Sequence, residues 1–187
     1  MRETLVEGAE MSRRGTGTVS TDPASVSTEA FVEAMRVQAT AVNLVTSDGP
    51  GGKTGVTVSA MASVSAEPPL ILACVNRRSP SVAAIRRNGV FCINALSAEQ
   101  DGLADTFAGR PSSGVPFDFR AARWTTLETG SPVLVDAVAN LDCVIHEMVE
   151  AGSHTIFIGR VVRAQHRQVK PLVYCDRVYG APGPLSR

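Results

Sequence analysis

From Gly55 to Ser65 the sequence alternates with a period of two: Val56, Val58, Ala60, Ala62 and Val64 on one side, Thr57, Ser59, Ser63 and Ser65 with Met61 on the other. Only an extended strand places alternate residues on opposite faces, so this run predicts one strand with a single apolar face. The polar face is unusual. A solvent face ordinarily carries Lys or Glu, whereas this one carries small hydroxyls and a methionine. Small uncharged side chains let a flat polar ligand approach the backbone and form hydrogen bonds there. The same pattern also suits a Ser/Thr edge strand or a subunit contact.

The rest of the chain supports a mainly β architecture. Short β-rich runs occupy 41–46, 70–75, 90–95, 138–149, 155–165 and 171–174, with turn chemistry at Ser47-Asp48-Gly49-Pro50-Gly51-Gly52 and at Glu67-Pro68-Pro69. Three short helices are predicted between them. The first is capped by Ser27 or Thr28, has Glu29 in its first turn, and should bury Phe31, Val32 and Met35. The second opens at Ser79-Pro80-Ser81, with Ser79 as cap and Pro80 first in the helix, and closes at Asn88-Gly89. The third follows a Ser97/Gln100 capping box, buries Leu103, Ala104 and Phe107, and stops at Gly109. Strands outnumber helices and turns are short, so an antiparallel barrel with a few peripheral helices is expected. With 187 residues, one domain is expected: a disordered arm over 1–26 (Met1 and Met11 are both candidate starts), the folded domain over 27–180, and a tail over 181–187.

Composition narrows the function. Eighteen basic residues balance eighteen acidic ones, and aromatic residues make up only 5%. That argues against a nucleic-acid partner. No run of about 18 apolar residues exists to cross a membrane, and the N-terminus lacks a signal-peptide apolar core. Cys74, Cys92, Cys143 and Cys175 are dispersed in apolar runs, and the three histidines are scattered. This predicts reduced, buried thiols in a cytoplasmic protein and no metal site.

Several motifs bear on chemistry. Gly52-Lys53-Thr54 resembles the end of a phosphate-binding loop, but Ser47 stands where the leading glycine belongs, and a strand follows instead of a helix. A hairpin turn with an exposed lysine is the expectation. Asn76-Arg77-Arg78-Ser79-Pro80-Ser81 places two hydroxyls and two arginines at a helix start, where unpaired N–H groups attract anions; for a capped helix in isolation, a plain cap with solvated arginines is the commoner reading. Gly152-Ser153-His154-Thr155 sets His154 at the mouth of a strand, either to meet a ligand or as a polar loop residue. His146 and His166 have less context.

Taken in order, these segments resemble the short-chain flavin reductases that serve flavin-dependent monooxygenases. The resemblance rests on Gly55-Val56-Thr57-Val58-Ser59-Ala60, Ser63-Val64-Ser65, Pro68-Pro69-Leu70, Asn76 with Ser79 and Ser81, and Phe91 to Leu96. It continues through Leu103-Ala104, Phe107-Ala108-Gly109, Gly152-Ser153-His154, Ile158-Gly159-Arg160-Val161, and Pro171 to Tyr174 with Arg177, Tyr179 and Gly180, and so covers residues 28–180. The resemblance implies an FMN-binding split barrel, a homodimer, and an NADH-dependent enzyme that reduces free FAD or FMN for a partner monooxygenase. It implies that Thr57, Val58, Ser59 and Ala60 line the flavin ring and ribityl chain, and that Cys74, Val75 and Asn76 pass alongside. Ser79 and Ser81 would hold the flavin phosphate, with Asn94, Phe107 and Gly109 also on the flavin side. His154, Tyr174 and Arg177 would meet the nicotinamide nucleotide. NADH is favoured over NADPH because no arginine pair is placed for a 2′-phosphate. Ser153 stands where many members carry Asp, and Ser81 where many carry Thr. A flavin-binding carrier or sensor, and a flavoenzyme of the same barrel acting on another substrate, are the alternatives.

Overall fold

The computed structural model describes residues 24–112 and 114–185. The expected arm therefore lies outside the described residues over 1–23, and the last two tail residues do as well. The strands are β1 (Thr40–Ala41), β2 (Asn43–Ser47), β3 (Thr54–Val58), β4 (Met61–Ala66), β5 (Pro69–Asn76), β6 (Val90–Ala95), β7 (Trp124–Thr125), β8 (Val133–Leu134), β9 (Ala139–Ala151), β10 (His154–His166), β11 (Val173–Cys175) and β12 (Val178–Gly180). The helices are α1 (Thr28–Arg36), α2 (Ser81–Asn88) and α3 (Asp101–Phe107), with a 3-10 turn at Phe119–Ala121.

Seven strands form one antiparallel sheet in the order β3-β2-β6-β9-β10-β5-β4. Its two edge strands, β3 and β4, are joined by only Ser59 and Ala60. A two-residue link cannot span a flat seven-stranded sheet when neighbouring strands lie about 4.8 Å apart. The sheet therefore rolls up until its edges meet. No ladder joins β3 to β4, so the barrel is split along this seam and not closed by hydrogen bonds.

The seam corrects the expected single strand over 55–65. Ser59 and Ala60 are both exposed, which resets the alternation. Met61, expected outside, packs on the barrel core, while Val64, expected inside, is 46% exposed. A bulge between Ser63 and Ser65 shifts the register again.

Two apolar clusters hold the fold. Val45, Val58, Ile71, Ala73, Val75, Phe91, Ile93, Cys143 and Phe157 fill the barrel interior together with Val82 and Ile85 of α2. A second cluster joins Val42, Leu44 and Leu96 to Leu103, Ala104 and Phe107 of α3, beneath Leu134 and Leu172. The Gly89 cap lies at φ +70, the left-handed region that glycine enters without penalty, and ends α2 as expected. The start of α2 differs from expectation: Pro80 holds the cap position, but Ser79 Oγ still accepts from the Ser81 N–H at 3.3 Å. Before α3, Gln100 Oε1 accepts from the Ser97 N–H at 2.9 Å, which is one half of the expected box.

α1 is capped by Ser27, whose Oγ accepts from the Ala30 N–H at 3.2 Å. Its expected buried stripe is instead exposed, with Phe31 at 57%, Val32 at 47% and Met35 at 42%. The helix is tied down by its polar flank: Arg36 pairs with Asp176 at 3.1 Å, and the Asp176 N–H donates to Arg36 O. Among the described residues nothing covers its apolar side. Cys92 and Cys143 are buried as expected, and burial pushes the Cys143 thiol up to about 12. Cys74 and Cys175 are only half-buried.

Candidate functional site

A continuous groove follows the outer side of β3, built from three adjoining cavities. The first, about 160 Å3, lies between Val42, Thr57, Val58, Ser59, Ala108, Arg110 and the Tyr174–Tyr179 pair. The second, about 390 Å3, shares Thr57 and Ala108 with it and adds Asn76, Arg78, Ser79, Pro80 and Phe117. The third, about 410 Å3, shares Pro80 and Phe117 with the second and reaches Lys53, Thr54, Ser81 and Phe119. The strand break at Ser59-Ala60, the turn before α2 and the loop after α3 thus converge on one surface.

The groove's floor is polar but uncharged. Thr57 Oγ1 donates to Ala104 O at 2.7 Å, which fixes the side chain and leaves its lone pairs available. Ser59 is exposed. The Cys74 N–H donates to Ala60 O at 2.9 Å, pinning the seam to β5. Ser81 is only 2% exposed; its Oγ lies 2.7 Å from Thr54 Oγ1 and 3.4 Å from Gly55 O. With Thr54 donating to Ser81, the Ser81 proton is held only by the long contact to Gly55 O and can turn to an anion.

The rim is cationic. Lys53, Arg78 and Arg110 border the groove. Among the described residues Arg78 and Arg110 have no ion-pair partner, while Lys53 meets Asp48 at 3.7 Å. Arg77 behaves differently: it pairs with Glu150 at 3.2 Å and is spent on structure. The carboxyl of Glu150 is held below its usual range by its hydrogen bond with Arg86, helped by Thr155 and Arg77. At the opposite end the Tyr179 hydroxyl donates to Asp105 Oδ1 at 2.9 Å. Its pKa is raised well above normal by burial, then by Asp105. Tyr179 is held as a neutral phenol, its ring 5.2 Å from that of Tyr174.

His154 stands beside the groove, opposite Asn76 across the β5–β10 ladder. Gly152 at φ +55 turns the chain, and Ser153 Oγ lies 2.9 Å from His154 Nδ1, filling the position where an acidic partner was in question. The Arg77 N–H donates to Ser153 O at 2.9 Å, fastening this hairpin to the groove wall.

The expected site residues therefore divide. Thr57, Val58, Ser59, Asn76, Ser79, Ser81, Phe107 and Tyr174 border the groove. Cys74 and Ala60 meet at its seam. Gly109, at φ +77, turns the chain beneath Phe117, where a Cβ would lie 3.1 Å from the Phe117 ring. Val75 and Asn94 do not line it: Val75 packs in the barrel interior, and Asn94 is held inside by hydrogen bonds. Asn94 is the hub of an internal polar network: its Oδ1 accepts from the Leu134 N–H and from Asn140 Nδ2, each at 2.8 Å, and its Nδ2 donates to Leu44 O at 3.0 Å. Arg177 lies outside as well, on the β11–β12 turn, 3.8 Å from Glu33. The sequence reading singled out Arg78 beside the helix start but missed Lys53 as a groove residue, together with Arg110, Phe117 and Phe119. All sit in turns, where periodicity gives no signal. Phe117, left-handed at φ +60 and 46% exposed, is the plainest of them.

A larger cavity, about 700 Å3, lies elsewhere, between Ser97–Gln100, Asp136 and Arg167–Lys170. Asp136 there is already paired with Arg123 at 2.8 Å and Arg167 at 2.6 Å. Asp136 is thus spent on structure, and the hydroxyl floor with its unpaired cationic rim points to the β3 groove. Gly52-Lys53-Thr54 forms the β2–β3 hairpin and not a phosphate loop, as its context implied. No His, Cys, Asp or Glu cluster fit for a metal occurs among the described residues, and no described helix is long and apolar enough to cross a membrane.

The family model "Flavin reductase like domain" matches residues 35–183. The FMN reductase (NADH) RutF 2 of Methylorubrum extorquens is 44% identical over 162 residues, covering 86% of this chain and 93% of the relative. Nitrilotriacetate monooxygenase component B of Mycobacterium thermoresistibile superposes with a TM-score of 0.75 at 28% identity, over 83% of this chain and 87% of that one. The NADH:FAD oxidoreductase SgcE6 of Streptomyces globisporus, in complex with NAD and FAD fragments, gives 0.73 at 30% identity, over 87% and 98%.

Proposed function

The chain belongs to the flavin reductase-like family, and from that membership we propose that it is an NADH:flavin oxidoreductase that reduces free flavin in the β3 groove and releases it to a separate flavin-dependent monooxygenase. The observation that carries this reading is the groove itself: an uncharged hydroxyl floor running into a rim of Lys53 and unpaired arginines. That polarity suits a ligand with a flat, hydrogen-bonding ring and an anionic tail, so the residues present fit a flavin phosphate.

The chemistry supplied there is transfer of hydride from nicotinamide C4 to flavin N5. The chain contributes position and electrostatics. Thr57, Ser59 and the seam backbone at Ala60 orient the ring. Ser79, Ser81 and the first N–H groups of α2 hold the phosphate. His154, fixed by Ser153, orients the nicotinamide nucleotide, and Tyr174 closes the far end. No group near the groove is placed as a strong base, and hydride transfer needs none. The half-open walls suit a flavin that must leave after each turnover. Likeness to a monooxygenase component supports the external partner. We also propose a homodimer, in which the bare apolar side of α1 finds cover.

The anionic end is tested by a paired titration of Ser81→Ala. FMN should weaken by about 1.5–3 kcal/mol, the range for a hydrogen bond to a charged group, and riboflavin, which lacks the phosphate, should bind as before. Equal weakening of both ligands would remove the phosphate from this end of the groove.

A further inference from the structure

Glu150 lies near the end of β9, outside the groove, and its carboxylate joins three elements. Arg77, in the turn between β5 and α2, meets one oxygen through Nε at 3.2 Å. Arg86, in the last turn of α2, pairs with the other. The Thr155 hydroxyl on β10 donates to both, at 3.1 and 3.2 Å. Thr155 is fully buried and directly follows His154. An isolated exposed ion pair contributes little, whereas here two guanidiniums and a buried hydroxyl share one carboxylate. Arg77 also grips the hairpin tip: its N–H donates to Ser153 O at 2.9 Å and its guanidinium to Gly152 O at 3.3 Å.

The two sides of this junction are not equally held without it. Residues 146–151 of β9 are exposed, so the tip that carries His154 has little packing of its own. α2 has other anchors. Val82 and Ile85 sit in the barrel core, and Asn88 Nδ2 donates to Ser47 Oγ at 2.8 Å. Losing the carboxylate therefore frees the hairpin and leaves the helix start at Ser79-Pro80-Ser81 in place.

We propose that Glu150 is a positioning residue for hydride transfer: through Arg77 and Thr155 it sets where His154 presents the nicotinamide to the flavin. The inference rests on the flavin reading above and adds to it a residue that governs the second substrate without touching either. Transfer between two bound rings depends steeply on their placement, and a shift of about 1 Å can cost about a hundredfold. In Glu150→Gln one amide oxygen cannot serve two guanidiniums, and its NH2 group offers them only donors.

The test is steady-state kinetics with NADH at saturating FMN for wild type, Glu150→Gln, His154→Ala and the double variant, with FMN affinity measured by titration. Glu150→Gln should lower kcat/KM for NADH about fivefold with FMN affinity unchanged. If His154→Ala alone costs about tenfold, the double variant should lose no more than that, because the carboxylate acts through the histidine; independent effects would multiply to about fiftyfold. An unchanged kcat/KM in Glu150→Gln, or in His154→Ala, would overturn the inference, and so would the multiplied loss. Weakening of FMN together with NADH would also overturn it, since that is what a residue serving stability alone would give. Failure of wild type to reduce FMN with NADH would sink the flavin reading itself.

Discussion

His154 shows how much one residue's surroundings decide. In sequence it was a histidine after a Gly-Ser turn; in the fold Ser153 Oγ sits on its Nδ1 and the hairpin is fastened to β5. Held beside Asn76 and not in the groove floor, it can touch the second substrate without touching the flavin. His154→Ala should therefore raise the NADH KM or lower kcat by about tenfold, equivalent to about 1.4 kcal/mol, with flavin affinity unchanged by titration. Equal loss of flavin binding would move His154 into the flavin site, and no change would make it a solvated turn residue. Thr57 and Ser59 were legible for a physical reason: small hydroxyls on a period-two face are visible in any strand. Asn94 was not. Alternation says which face a residue takes, but not whether a second layer covers that face, and here α3 and the 122–137 segment cover the outer side of β6.

At the scale of the element, strand existence was well marked and strand continuity was not. β6 begins and ends where its apolar run does, because Gly89 and the polar residues after Leu96 punctuate it. The break between β3 and β4 has no proline or glycine to announce it. It arises because the barrel must close, a long-range demand that local pattern cannot express. α1 failed in the opposite way: the stripe of Phe31, Val32 and Met35 expected to be buried is exposed, because none of the described residues packs against it. β10 carries a constraint of its own. Gly159 sits at a register shift opposite β9, and a Cβ there would lie 2.5 Å from Phe91 Cζ and 2.8 Å from Cys143 Cβ. Both neighbours are fully buried and have nowhere to move. Gly159→Ala should cost about 1–3 kcal/mol by overpacking, lowering Tm by about 2–4 °C for each kcal/mol in a chain of this size. An unchanged Tm would mean that the barrel interior is looser than these contacts imply.

For the whole molecule, the split barrel is what creates the site. Rolling the sheet brings β3 next to β4 and β5, so the seam, the α2 start and the loop after α3 share one groove although they lie up to about sixty residues apart in sequence. The mainly β class was legible in the sequence, and so was the helix start at Ser79-Pro80-Ser81 on which the proposed anionic end rests. The rim of Arg110, Phe117 and Phe119 was not, since turn residues acquire neighbours only when the chain folds. The groove's shallow, half-open walls bear on the central claim, which is that flavin is a substrate that comes and goes. The most direct test follows NADH oxidation by flavin-free protein as FAD or FMN is added. The rate should be negligible without flavin and should rise to saturation with it, through many turnovers per protein molecule. NADH oxidation at the full rate with no added flavin, or a single turnover equal to the protein present, would contradict the account.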